Sequence, residues 1–110
     1  MSIEDSGSID NFGISKDDGK AVLVISDHLS WEDEKIHFNL LDKKIGKYLV
    51  FIKSGQLLEV LPDSMGKDVR IELIYQFQPN EMASRFLSAA KQQLQSVGVE
   101  LTYKELPEDY

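Results

Sequence analysis

The sequence predicts an α+β / α/β two-layer sandwich in the order ββαβαβ, with a four-stranded mixed sheet and two helices on one face. Three observations predict it. Ser30 to Gly55, SWEDEKIHFNLLDKKIGKYLVFIKSG, reads as one long amphipathic helix. Val69 to Gln78 alternates apolar and polar residues, the pattern of a strand in a sheet covered on one side. Asn80 to Val97 carries a second apolar stripe at helical spacing.

Taken in order, Met1 to Ser8 is polar and acidic and reads as a flexible tail. Ile9 to Ser15 is the first strand, with Phe12 and Ile14 on one face. Lys16-Asp17-Asp18-Gly19 is a turn, because Asp favours it and Gly accepts positive φ. Lys20 to Ser26, with AVLVI at its centre, is the second strand and pairs with the first as a hairpin. Ser30 is placed to cap the long helix, with Asp33 at the capping-box position. Glu32, Asp33 and Glu34 suit the positive end of its dipole, and Lys53 suits the other end. Phe38, Leu41, Ile45, Tyr48, Leu49 and Ile52 form its apolar face, and Trp31 extends that face backwards. Gly55 suits the left-handed residue that closes a helix.

Gln56 to Asp68 reads as an irregular connection containing a turn of helix, with a short edge strand as the alternative, since Pro62 and Gly66 interrupt any longer element. A helix of about 24 residues spans roughly 36 Å. A strand of about 8 residues spans only about 26 Å, so extra chain is needed to return to the sheet. Val69, Ile71, Leu73, Tyr75 and Phe77 form the inner face of the third strand. The second helix buries Ala83, Phe86, Leu87, Ala90, Leu94 and Val97, and Gly98 closes it. Val99 to Lys104 is the last strand, followed by a short acidic tail at residues 106–110. Right-handed crossovers with both helices on one face give the strand order 1-2-3-4, the first strand antiparallel at an edge. The whole chain, residues 1–110, reads as a single domain.

Composition narrows the function. The net charge of −7 argues against nucleic-acid binding, which rests on Lys and Arg neutralising phosphates. It also argues against anionic membranes, and it suits a basic protein partner. With no cysteine there is no disulfide, thiolate metal site or thiol nucleophile. The acidic N-terminal stretch lacks the apolar core of a signal peptide, so the expected location is the cytoplasm. No serine sits in G-x-S-x-G, no glycine-rich phosphate loop is present, and Asp17-Asp18-Gly19 is too short for a calcium loop. No catalytic or cofactor-binding residue is assigned, and no cofactor is expected.

The strongest chemical cluster surrounds the start of the long helix: Asp27, His28, Asp33, Glu34 and His37. Glu34-x-x-His37 is half of a helical carboxylate–histidine metal motif, and the second helix lacks the matching half. His28, Glu34 and His37 are therefore only weak metal candidates, and the plainer reading pairs Asp33 with His37 at i, i+4. Lys43, Lys44 and Lys47 read as a basic outer face of the long helix. Val22, Val24 and Ile74 fall on the sheet face opposite the helices and are interface candidates.

The run Ile25-Ser26-Asp27-His28-Leu29-Ser30-Trp31 resembles part of a family of small bacterial proteins of unknown function of about this length. So do Tyr48-Leu49-x-Phe51-Ile52-x-Ser54-Gly55-Gln56 and Pro62-Asp63-x-x-Gly66-Lys67. The resemblance implies a bacterial, single-domain, stand-alone protein and implies no activity. The function that remains is a non-enzymatic interaction module that self-associates, one version being an acidic immunity-type protein. The alternative is a small enzyme or metal-binding protein using His28, Glu34 and His37.

Overall fold

Leu23, Ile25, Ile71, Leu73 and Leu101 are fully buried, and all of them lie on one side of a sheet. The computed structural model describes residues 11–106. It contains β1 (Asn11–Ile14), β2 (Ala21–Asp27), α1 (Glu34–Lys53), α2 (Gln56–Val60), β3 (Val69–Tyr75), α3 (Glu81–Ser96) and β4 (Val99–Glu105). A single 3₁₀ turn at Pro62–Ser64 follows α2. The sheet order is β1-β2-β3-β4, with β1 antiparallel to β2 and the other neighbours parallel. This is the order expected from right-handed crossovers. The register places Leu23, Ile71 and Leu101 in one row on the helix side, and Val24, Glu72 and Thr102 in one row on the other side.

Both long helices cover the same face, because each has one apolar stripe to bury. From α1, Leu41, Ile45 and Tyr48 enter the core; from α3, Ala83, Leu87 and Leu94 do. Tyr48 is fully buried and its hydroxyl donates to Val24 O at 2.5 Å, pinning α1 to β2. Phe38 stacks on Phe86 with centroids 4.9 Å apart, which joins α1 to α3. At the other end, Lys53 Nζ donates to Val97 O at 2.7 Å.

The connection after α1 contains two short helical pieces, as its Pro and Gly punctuation suggests. Gly55, at φ +89, both ends α1 and begins α2 in a conformation that disfavours any side chain. Two boundaries differ from expectation by three residues, the others among the described residues by one at most. α1 is capped by Asp33, whose carboxylate accepts from Ile36 N–H at 3.2 Å, and not by Ser30. β3 stops at Tyr75 and not at Gln78, because both neighbours run out there: Gln76 N–H reaches Asp27 O, and Leu106 N–H reaches Tyr75 O. Phe77, expected inside, is consequently 44% exposed. Lys44 is a third correction. It lies at 0% exposure, since His37, Leu41, Lys44 and Tyr48 form one continuous stripe, while Lys43 and Lys47 are exposed.

The expected tail at residues 1–8 and the last four positions of the chain lie outside the described residues. Leu106, assigned to the flexible tail from sequence, is half-buried and bonded to β3. Among the described residues no helix is long and apolar enough to cross a membrane.

Candidate functional site

β2 ends in a buried carboxylate. Asp27 is 2% exposed and uses both oxygens. Its Oδ1 accepts from Leu29 N–H at 3.1 Å, the local turn that Asp forms with its own following backbone. Its Oδ2 lies 2.5 Å from His37 Nε2. The other ring nitrogen, Nδ1, donates to Ser30 O at 3.0 Å. A carbonyl can only accept, so Nδ1 carries a proton; a second proton stands between Nε2 and Oδ2. Trp31 lies flat on the imidazole, with centroids 3.6 Å apart and planes 16° from parallel. The indole N–H donates to Phe77 O at 3.0 Å. Asp27, His37 and Trp31 therefore lock together the end of β2, the entry to α1 and the chain after β3.

This is the carboxyl end of the parallel strands, where open α/β sheets commonly bind ligands. Here the helix side is filled by Trp31 and His37, and a small cavity of about 80 Å³ remains beside Ser26, His28 and Ile74. His37 is 1% exposed and both its nitrogens are engaged, so it offers no lone pair or proton to a substrate. The structure does not bring His28, Glu34 and His37 together. His28 is exposed, and Glu34 Oε1 accepts from Asn80 Nδ2 at 2.8 Å, tying the first turn of α1 to the cap of α3. Among the described residues no group of three or more His, Asp and Glu side chains is arranged to hold a metal ion. The expected i, i+4 pairing of Asp33 with His37 is replaced by Asp27 with His37, ten residues apart. Pairing across a β–α junction depends on the tertiary path and leaves no spacing signal in the chain.

The helix-free face of the sheet is the other candidate. Val22, Val24 and Ile74 lie there half-buried, between charged side chains that pair with one another. Arg70 meets Asp18 at 2.5 Å and Glu100 at 3.7 Å, Lys20 meets Glu100 at 3.3 Å, and Lys104 meets Glu72 at 3.1 Å. The Lys20 amide and the Arg70 guanidinium hold the Asp18 carboxyl below its ordinary range. A shallow concavity of about 350 Å³ opens over this face, with Val22, Val24, Arg70, Glu72 and Lys104 in its lining.

The family model of DUF6572, a family of unknown function, matches residues 1–107. The chain belongs to the DUF6572 family. No curated protein and no solved structure matches it. In this DUF6572 protein one further surface escaped the sequence: a groove of about 600 Å³ between α1 and α3, lined by Ile45, Leu49, Phe86, Ala90 and Leu94. Gly46 and Ala89 stand at its sides and leave the space unfilled. That pair of small residues, read together, was the available signal.

Proposed function

We propose that the protein is a non-enzymatic, cytoplasmic interaction module that self-associates, with the helix-free sheet face as its contact with a second copy. The observation that carries this reading is the half-buried row of Val22, Val24 and Ile74 on inner strands that no helix covers. Water-facing positions of a one-sided sheet are normally polar, and aliphatic side chains there gain by being covered. The surrounding charges are of both signs, which suits a two-fold contact of this surface with itself. The buried, doubly bonded state of His37 weighs against the enzyme reading, since the best acid–base group of the cluster cannot reach a reactant.

A basic protein is the alternative partner, in the manner of an acidic immunity-type protein; the net charge of −7 supports that version. Sedimentation velocity tests the contact. The wild-type chain is expected to dimerise at micromolar concentration, and Val24→Lys with Ile74→Lys to return it to monomer while circular dichroism stays unchanged. A wild-type monomer across that range sinks the self-association reading.

A further inference from the structure

β4 forms an edge of the sheet, with no described strand beyond it. Its inner side is fixed by the parallel ladder: Leu106 N–H donates to Tyr75 O at 2.8 Å, and Tyr75 stands opposite Glu105. Backbone groups alternate sides along a strand. Glu100, Thr102 and Lys104 therefore turn their N–H and C=O groups to β3, and Val99, Leu101, Tyr103 and Glu105 turn theirs to the open edge.

We propose that a second copy of this chain pairs with that edge, antiparallel, about a two-fold axis at Thr102, continuing one sheet across both copies. This shares with the proposed function only the reading that the chain self-associates; the contact is a different one and leaves Val22, Val24 and Ile74 uncovered.

Charge selects the register. Centred on Thr102, each Glu100, which meets Lys20 and Arg70 in its own chain, stands opposite the other copy's Lys104, which meets Glu72 in its own, so the alternation of charge continues across the axis. Centred on Leu101, Glu100 would meet Thr102; centred on Tyr103, Thr102 would meet Lys104. These are the neighbouring registers that keep outward-facing backbone groups opposed, and neither pairs the charges. Charged residues on an edge strand usually block such pairing, whereas here they reward one alignment of it. Two side-chain observations agree. Thr102, half-buried at the centre of the strand, is uncharged and small, so two copies can approach closely at the axis. On the helix side, Tyr103, 36% exposed, stands beside the edge and loses exposed apolar area when a second strand pairs there.

Two charge reversals and a cross-link test this. Glu100→Lys makes positions 100 and 104 both positive, and Lys104→Glu makes both negative. Each variant alone repels its own copy across the axis, but the two together are complementary. The expected result in sedimentation velocity is that each alone raises the dimer Kd by about tenfold, and that the equimolar mixture returns to the wild-type value. Thr102→Cys supplies the only thiol of the chain. Opposed residues at such a non-hydrogen-bonded position sit at disulfide distance, so mild oxidation should link the copies covalently, and Val24→Cys should not link them. A dimer broken by Val24→Lys with Ile74→Lys but indifferent to both charge reversals overturns the edge contact and leaves the sheet-face reading standing. A mixture that fails to recover, or a Thr102→Cys chain that does not cross-link, overturns the edge contact as well. A wild-type monomer at all concentrations overturns both.

Discussion

At the scale of single residues, the Asp27–His37 pair makes the sharpest demand on the sequence. Removing one partner of a buried pair strands the other, at a cost of about 3–5 kcal/mol. Asp27→Ala should therefore be severe in a denaturant titration. Asp27→Asn should be mild, about 1 kcal/mol. Its amide oxygen can still accept from Leu29 N–H, and its NH₂ can donate to Nε2 of a neutral ring whose Nδ1–H still reaches Ser30 O. Equal losses for the two variants would refute the proton arrangement given above. Asp18 makes a second, weaker demand. Its folded carboxyl titrates below the 3.8 of a free aspartate, so it adds stability above that pH and loses it as pH falls through the folded value. The melting-temperature gap between wild type and Asp18→Asn should therefore be open at pH 7 and close below about pH 3.8. None of this was legible in the chain beyond the presence of the residues. His37 and Asp27 both belong to the cluster at the start of the long helix, but Asp33 is the nearer carboxylate in sequence, and helical spacing alone cannot see a partner on the preceding strand.

At the scale of elements, the chain was more informative, for identifiable reasons. β3 and α3 declared themselves because each buries one face only, so period-two and helical patterns survive undiluted. The start of α1 misled because Ser30 and Asp33 are both good caps. Trp31 settled the choice by packing on His37 outside the helix, which leaves Asp33 as the cap. Lys44 misled because a lysine was read as an outward residue, although 4-3-4 spacing places it between Leu41 and Tyr48 on the buried side. Long lysine stems pack well, and this one lies with Nζ 5.7 Å from the Tyr48 ring centroid. Three alanine variants of α1 check the assignment. Ile45→Ala should cost about 2–5 kcal/mol, as core truncations do. Lys43→Ala, on the exposed side, should change stability by less than about 0.5 kcal/mol. Lys44→Ala should behave like Ile45→Ala, with a loss of about 2 kcal/mol or more. Grouping of Lys44 with Lys43 in urea midpoints would mean the buried stripe is drawn wrongly.

At the scale of the whole molecule, strand order was readable because two right-handed crossovers with helices on one side allow a single direction of march, and the observed order follows it. The sheet-face contact proposed above is legible as the apolar outer row of Val22, Val24 and Ile74, whereas the proposed edge contact is not, because it depends on the side from which the backbone groups of β4 emerge. Net charge adds a constraint on either mode of pairing. Each copy carries −7, and the described residues measure 39 × 30 × 23 Å, so two docked copies have centres about 30 Å apart. At that separation two such charges in water repel by roughly 7 kcal/mol without screening. A Debye length of about 30 Å at 0.01 M salt reduces this to roughly 2–3 kcal/mol, and one of about 8 Å at 0.15 M to well under 1 kcal/mol. In the proposed edge pairing the Glu100–Lys104 contacts would act in the opposite sense, but exposed pairs contribute only about 0–1 kcal/mol each and lose only part of that to salt. Monopole repulsion therefore wins. The dimer Kd should fall by at least about tenfold between 0.01 M and 0.15 M salt, since the repulsion removed exceeds the roughly 1.4 kcal/mol that a factor of ten requires. Sedimentation equilibrium at the two salt concentrations measures it directly. A dimer that weakens as salt rises would show that attraction between charged side chains, and not apolar and backbone contact, holds the copies together.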